Sequence, residues 1–380
     1  MSTSLLPFFP PNMFEEERLA ILDVVREVGL DSRQKFILGE RVEQLEQRVR
    51  QATGAPYVIA CASGTGGLAL AVQSLGIGSG DEVIVPAFCC QPVASTVINA
   101  GAKPVFVDID EETLVMDPDE VEASISPATR AVMPAHVFSV MADMPAIGEI
   151  ANAQGLRVIE DAAVAQGASL RGRPAGMWGD AGVFSFFQVK ALGAIGEGGV
   201  VLTEDSEVAD SCRMLRNHGQ TDSQRGVHHA IGQNNRMDEI LAAFQLRRYD
   251  GLDRRLARRA EIAAYYTECF ESLREYSLVP PPAGHDGRCY YVYSVLTDAR
   301  EELRLHLSEC GIGTHVYYPL PLPAQPGFRA HAGARSFPRA AAAGRRNLAL
   351  PIYPHLSDAE VERIADTVVR FFESRQRLAS

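Results

Sequence analysis

Between about residues 55 and 205, short apolar runs alternate with helix-like stretches. The runs YVIACAS (57–63), DEVIVP (81–86), KPVFVDI (103–109), RAVMPAH (130–136) and LRVIED (156–161) are β-branched and continuous rather than alternating. Strands covered on both faces read this way. The segments between them, TGGLALAVQSLG (65–76), VASTVINAG (93–101), PDEVEASIS (118–126) and PAIGEIANAQG (145–155), have helical character. Successive βα units imply a mostly parallel sheet covered by helices. Two further strands are expected at GVFSFF (182–187) and GGVVLTE (198–204), joined by a Gly-rich loop.

From about Arg236 to Glu275 the pattern is helical, with Ile240/Phe244, Leu252/Leu256 and Ile262/Tyr266/Phe270 spaced four apart. The run RRLARR within it reads as a solvated helix face or a partner for acidic residues. VPPPAGHDG (279–287) breaks the pattern, after which YYVYSVL (290–296), REELRLHLSECG (300–311) and GTHVYYP (313–319) suggest strand, helix and strand. A closing amphipathic helix over 357–373 opens with Ser357 three residues before Glu360, a capping-box signature. The expected architecture is α/β. A large domain (1–250) holds the mostly parallel sheet and a smaller α+β domain follows (251–380), with residues 1 to about 30 able to pack on the latter.

Composition narrows the function classes. The 380 residues are 46% hydrophobic and 22% charged, enough apolar material for a large core. The net charge of −12 argues against a general nucleic-acid binder, which needs a basic footprint. No apolar run approaches the ~18 residues of a membrane span. The N-terminal segment lacks the basic start of a secretory signal, so the cytoplasm is the expected compartment. The seven cysteines form no CxxC and no Cys/His zinc spacing, and read as free thiols without a structural metal.

Lysine is scarce: of 36 basic residues only Lys35, Lys103 and Lys190 are lysines. Arginine serves most surface roles but cannot supply a neutral amine nucleophile. Lys190 sits in FSFFQVKALGAIGEGG, with no second charge until Glu197. Burial there would depress its pKa and free the amine, although a lysine snorkelling from a strand end is the simpler alternative. Asp161 stands at the C-terminal end of LRVIE, where an open parallel sheet binds ligands. It reads equally as a helix N-cap or a functional acid. Its neighbour Glu160 points to the opposite strand face, which disfavours a metal cluster. SGTGGLAL (63–70) places a Gly-rich turn between strand and helix, where free N–H groups and the Thr65 hydroxyl could cradle phosphate. It is neither a Walker loop nor GxGxxG, and many such turns only cap a helix. Ser185, expected on the same strand as Lys190, could add a hydroxyl or be a small core residue. Phosphate site, strand-end acid and dehydrated lysine together are what pyridoxal phosphate requires.

The order and wording of the motifs resemble the DegT/StrS-type aminotransferases of pyridoxal-phosphate fold type I. The matching segments include FILGERVEQLE (36–46), ASGTGGLALAVQSLGIGSGDEVIVPAF (62–88), AGAKPVFVDID (100–110), VIEDAAVAQGA (158–168), GDAGVFSFFQVKALGAIGEGGVVLT (179–203), GQNNRMDEILAA (232–243) and LALPIYPHLSD (348–358). The resemblance implies an aspartate-aminotransferase-like fold with residues 1–250 binding the cofactor. It implies that Lys190 is the Schiff-base lysine and Asp161 the acid at the pyridine nitrogen. Thr65, Gly66 and Ser185 match phosphate-binding positions. Asn234 matches an asparagine that reaches the phosphate of a neighbouring subunit, so the active site would be shared across a homodimer. His136, Tyr317 and Tyr318 are substrate-pocket candidates, His136 also reading as a structural histidine.

Three positions depart from the family pattern. Cys90 stands where an aromatic residue usually stacks on the pyridine ring, Val164 where a Gln holds the ring oxygen, and Ala191 where Asn commonly follows the lysine. The implied activity is transfer of an amino group from glutamate or glutamine to a keto sugar, commonly nucleotide-linked, or a related cyclic ketone. Such a step builds amino sugars and secondary metabolites. A sugar dehydratase is one alternative, although that branch usually replaces the lysine with histidine. A non-catalytic regulator on the same fold is the other, supported by Cys90 and Val164.

Overall fold

The computed structural model describes residues 5–9, 15–33, 35–221, 223–282 and 288–379. Two helices come first, α1 (Glu15–Leu30) and α2 (Glu40–Thr53). Five strands then alternate with helices: β1 (Tyr57–Cys61), β2 (Glu82–Pro86), β3 (Lys103–Val107), β4 (Thr129–Val132) and β5 (Arg157–Asp161). A small hairpin of β6 (Ser169–Leu170) and β7 (Arg173–Pro174) precedes β8 (Ala181–Ser185) and β9 (Gly199–Thr203). Seven of these strands form one sheet in the order β1-β9-β8-β5-β4-β2-β3. The pairs from β8 to β3 are parallel, while β9 runs antiparallel to both β8 and β1.

The apolar residues of the continuous runs are mostly buried, and in β8 and β9 every residue is enclosed. Helices cover both faces, and their starts carry the expected side chains. Ser63, Asp117, Asp143, Asp205 and Asp238 each accept an N–H from the first turn of the helix they open. Each such cap is worth about 1 kcal/mol.

The helical stretch beyond Arg236 is two helices, Glu239–Asp250 and Leu252–Phe270, separated at Gly251. α1 lies along the first of them, with Val24 and Val28 against Ala243. The second belongs to a separate apolar cluster in which Ile262, Tyr266 and Phe270 pack against β11 (Tyr293–Thr297) and the closing helix Asp358–Ala379. β10 (Leu278–Val279), β11 and β12 (Asn347–Leu350) form the small antiparallel sheet. Leu6 joins this cluster and exchanges backbone hydrogen bonds of 2.8 Å with Gly311 and Gly313. The Ser357 capping box forms as expected: Glu360 N–H donates to Ser357 Oγ at 3.3 Å, and Ser357 N–H donates to Glu360 Oε2 at 2.8 Å.

Two expectations are corrected. The run 313–319 is not a strand; the partner of β11 is β12. Within that run one bridge forms, His315 to Ala349, before the Tyr317 N–H is taken by the side chain of Asn347 at 2.8 Å. A side-chain acceptor in place of a ladder carbonyl ends pairing there and turns the chain inward. Lys190 is likewise not on a strand: β8 ends at Ser185, and Lys190 lies in a turn, its N–H donating to Phe187 O at 2.8 Å. The segment 283–287 of the expected Pro-rich break lies outside the described residues.

Candidate active site

Because β1, β2, β4, β5 and β8 point the same way, their C-terminal ends open on one edge of the sheet, where ligands bind in such folds. At that edge a cavity is lined by Cys90, His136, Asp161, Val164 and Lys190, with Tyr291, Tyr317 and Tyr318 closing it from the C-terminal part of the chain.

Asp161 ends β5 and is buried. Its Oδ1 accepts the Ala163 N–H at 3.1 Å, so it does cap the following turn. Desolvation nonetheless raises its pKa, against the opposing pull of that hydrogen bond and of Lys190 and His136. A buried carboxylate in this state gains from a cationic partner.

Lys190 is half-buried at the wall shared by two cavities. Its Nζ stands 4.7 Å from the centroid of the Tyr291 ring. No carboxylate lies within 4 Å of it among the described residues. Desolvation lowers its pKa, and the thiols of Cys90, Cys89 and Cys289, together with Asp161, oppose the shift. The amine is thus biased towards its neutral, nucleophilic form.

The start of the helix α3 (Gly64–Ser74) lies against the end of β8. A Cβ on Gly64 would fall 2.6 Å from Ser185 Cβ, and one on Gly66 would fall 2.4 Å from the Asn235 amide. Only glycine admits this approach. Ser63 Oγ accepts the Gly66 N–H at 3.0 Å, while Thr65 is exposed. Beneath, Asn235 accepts the Ala62 N–H at 2.9 Å, and its Nδ2 is buried without an acceptor among the described residues.

His136 lines the cavity, but both ring nitrogens are engaged by the protein. Nδ1 accepts the Ala142 N–H at 3.2 Å, which leaves Nε2–H to donate to Glu160 Oε2 at 2.9 Å. Glu160 also accepts backbone N–H groups of Gly176, Trp178 and Gly179. The geometry is that of a structural histidine fixing two loops. Cys90 faces the Tyr318 ring side of the cavity and is exposed by area, while desolvation of its thiol pushes its pKa up. The Val164 carbonyl receives the thiol of Cys289. Tyr317 meets Tyr291 hydroxyl to hydroxyl at 3.3 Å. Asn234 is not brought to the cavity. It is exposed, and its Oδ1 accepts from Arg236 Nε at 3.0 Å.

Sequence reasoning missed Tyr291, Asn235 and the RRLARR arginines. Tyr291 sits in a run that reads only as strand, and nothing local says that it faces Lys190. In RRLARR, Arg254 is exposed and Arg258 meets Asp358 at 2.6 Å, as a solvated face would. Arg255 and Arg259 instead turn into a second cavity that shares Lys190 and Tyr291 with the first, so the run is not only the solvated face or partner for acidic residues that its pattern suggests.

The family model for the DegT/DnrJ/EryC1/StrS aminotransferases matches residues 16–369. A protein of Geobacillus stearothermophilus named pleiotropic regulatory protein is 40% identical over 94% of this chain and 96% of its own. The dTDP-3-amino-3,4,6-trideoxy-alpha-D-glucose transaminase of Streptomyces venezuelae is 38% identical over 98% of this chain and 97% of its own. The crystal structure of S. venezuelae DesV in complex with a ketimine intermediate superposes with a TM-score of 0.92 at 36% identity, covering 98% of this chain and 99% of that one. Other solved structures of the same fold carry pyridoxal phosphate or its amine form. With the match spanning both apolar clusters and every wall of the cavity, the chain belongs to the DegT/DnrJ/EryC1/StrS aminotransferase family.

Proposed function

We propose that this aminotransferase moves an amino group from glutamate or glutamine to a keto sugar carried on a nucleotide, or to a related cyclic ketone, with Lys190 as the working amine. The observation that carries the reading is the dehydrated Lys190 Nζ, free of any carboxylate within 4 Å among the described residues, in one cavity with Asp161.

The cofactor is pyridoxal 5'-phosphate, and the residues present fit it at three places. The crowded helix start at Gly64 and Gly66, above the orphaned Asn235 Nδ2, suits a phosphate. Desolvation outweighs the pull of Lys190 and His136 and holds the Asp161 pKa up, so a cationic ring nitrogen beside it would relieve its burial. Burial lowers the pKa of Lys190, which favours the amine form a Schiff base needs. When bound, the cofactor supplies an electron sink for the carbon bearing the transferred nitrogen.

The chain's own residues do the rest. Lys190 Nζ takes the proton from that carbon and returns one on the cofactor side, base and then acid. Asp161 holds a proton on the pyridine nitrogen, where charge gathers. Thr65, Gly66 and Ser185 anchor the phosphate, Cys90 packs on the ring face, and Val164 leaves the ring oxygen without the usual amide. Tyr317 and Tyr318 wall the substrate side. His136 acts by position, through Glu160. The donor departs as its keto acid, and the ketone then binds and takes up the amine by the reverse steps. In this reading residues 1–250 bind the cofactor and 251–380 cover it. The protein is a cytoplasmic homodimer in which exposed Asn234 serves the partner's phosphate site. No helix among the described residues is long and apolar enough to cross a membrane.

Borohydride reduction of the yellow protein, followed by peptide mass spectrometry, should place the pyridoxyl label on Lys190. Incubating the amine form with a panel of keto sugars and keto cyclitols then identifies the acceptor. A second reading, a ligand-responsive regulator, draws on the name of the Geobacillus relative and on Cys90 and Val164. An intact, colourless protein that takes up no cofactor would favour it and end the enzymatic assignment.

A further inference from the structure

Residues 5–9 return to the wall of the second cavity, the one that joins Lys190 to Phe8 and Phe9. Leu6 is buried in the apolar cluster of the small sheet and is bridged in parallel to Ile312. Its N–H donates to the Gly311 carbonyl and its carbonyl accepts the Gly313 N–H, both at 2.8 Å. A Cβ on Gly313 would fall 2.8 Å from the Phe8 nitrogen and 3.2 Å from the Leu6 carbonyl oxygen, so only glycine admits the segment this closely. That anchor fixes where the next two side chains go. Phe8 stacks on His315 with centroids 5.6 Å apart and planes 25° from parallel. Phe9 meets Phe8 in a T-shaped contact, centroids 4.5 Å apart.

Ring contacts run without a break from the amine to Phe9. Lys190 Nζ lies 4.7 Å from the Tyr291 centroid, Tyr291 lies 6.2 Å from Tyr317, and Tyr317 lies 6.2 Å from Phe8. Exposure grows along this path: Tyr291 is buried, Tyr317 and Phe8 are half-buried, and Phe9 is 37% exposed. A lone exposed phenylalanine calls for no explanation. Phe9 is not alone. It lines a cavity shared with the reacting amine, rests on a second ring, and is held there by a backbone anchor. A π surface already ordered in this way costs an incoming ring little to use.

We propose that Phe9, backed by Phe8 and His315, is the stacking platform for the nucleobase of a nucleotide-linked acceptor whose reacting sugar carbon lies at Lys190. The inference rests on the transaminase reading and narrows its acceptor to one that carries a base. Within such a substrate the base alone is flat with two π faces, and a ribose and a diphosphate separate it from the sugar that reacts. Phe9 stands in the matching relation to Lys190, in the same cavity but beyond intervening rings. Every base has a π face, so the platform selects for the presence of a base more than for its identity. Glutamate and glutamine have no such group, so Phe9 serves the acceptor half of the reaction and not the donor half.

Calorimetric titration of the holoenzyme with uridine, thymidine and guanosine diphosphates reads the platform without turnover, with inorganic pyrophosphate as the base-free control. At least one nucleoside diphosphate should bind the wild type more tightly than pyrophosphate does. Phe9→Ala should weaken that ligand by about fivefold or more, while Phe9→Tyr, which keeps the ring, should stay within about twofold of the wild type. Pyrophosphate should not distinguish the three proteins. The platform is overturned if Phe9→Ala binds the nucleoside diphosphates like the wild type, if the wild type prefers none of them to pyrophosphate, or if Phe9→Ala weakens pyrophosphate equally. Borohydride labelling of Lys190 in the same preparations keeps the two readings apart. Normal labelling with any of those three results removes the platform alone, and absent labelling of the wild type removes the transaminase reading and the platform with it.

Discussion

The Nζ of Lys190 stands 4.7 Å from the centroid of the Tyr291 ring, at the wall common to two cavities. A neutral amine rests against an aromatic face without penalty, and a cation there would be partly compensated by the ring. Tyr291 thus stores the amine in place without offering it a counter-charge. Replacing Lys190 with Ala or Arg should abolish transamination, by three orders of magnitude or more (roughly the contribution of an activated nucleophile with its proton transfers). Tyr291→Phe, which keeps the ring, should hold most of the rate. A Lys190→Ala variant turning over normally would refute the assignment.

The direction of the Lys190 shift makes the stability of the cofactor-free protein depend on pH. Its folded pKa is lowered, so between that value and the ordinary lysine value the unfolded chain binds more protons than the native one. Stability therefore rises as pH rises through this window, and the penalty is constant below it. Denaturant melts from neutral to alkaline pH should show this slope, and Lys190→Met should reduce it.

Asp161→Asn separates structure from chemistry. The folded pKa of Asp161 is raised, so the native state prefers the protonated form and loses stability as pH climbs from the usual carboxylate range through the folded value. An amide keeps the acceptor for the Ala163 N–H and removes the buried charge. The cofactor-free variant should be more stable at neutral pH by on the order of 1 kcal/mol, while activity falls roughly 10²–10³-fold. Thermal melts and initial rates on one preparation measure both.

His136→Ala should behave as a folding lesion. The Nε2–H to Glu160 and the Nδ1 that accepts the Ala142 N–H are both lost, leaving a buried carboxylate one donor short. About 1–3 kcal/mol of stability should go, with KM for either substrate moving little. A large rise in KM at unchanged stability would make His136 a substrate residue instead.

Cys90→Tyr should restore a ring where the thiol now packs. Cofactor dissociation, followed by absorbance on dilution, should slow by about fivefold to tenfold, in line with roughly 1 kcal/mol for an aromatic stack.

The sheet was legible in the sequence because its strands are buried on both faces, and a continuous β-branched run such as DEVIVP has few other homes. Lys190 and Asp161 were legible for a chemical reason: one is a scarce residue type in an apolar stretch, the other stands at a strand end. The arginines of RRLARR were not, because helical spacing says which residues share a face but not which face meets the protein. Arg255 and Arg259 lie on the inward one. The run 313–319 misled for the converse reason. Its aromatic and β-branched residues favour a strand, but the Asn347 side chain, distant in sequence, captures the Tyr317 N–H. Tyr291 carried no local signal, since its role depends on an approach between segments about a hundred residues apart.

The cavity takes its floor from Cys90, His136, Asp161 and Val164, at or just beyond the ends of β2, β4 and β5, and its lid from Tyr291, Tyr317 and Tyr318. The ribosome must therefore have released most of the polypeptide before the Lys190 amine gains its cover. A nascent chain arrested near residue 250 could form the sheet and still leave Lys190 open to stray carbonyl compounds. Late enclosure of this kind makes the closed cavity a property of the finished molecule.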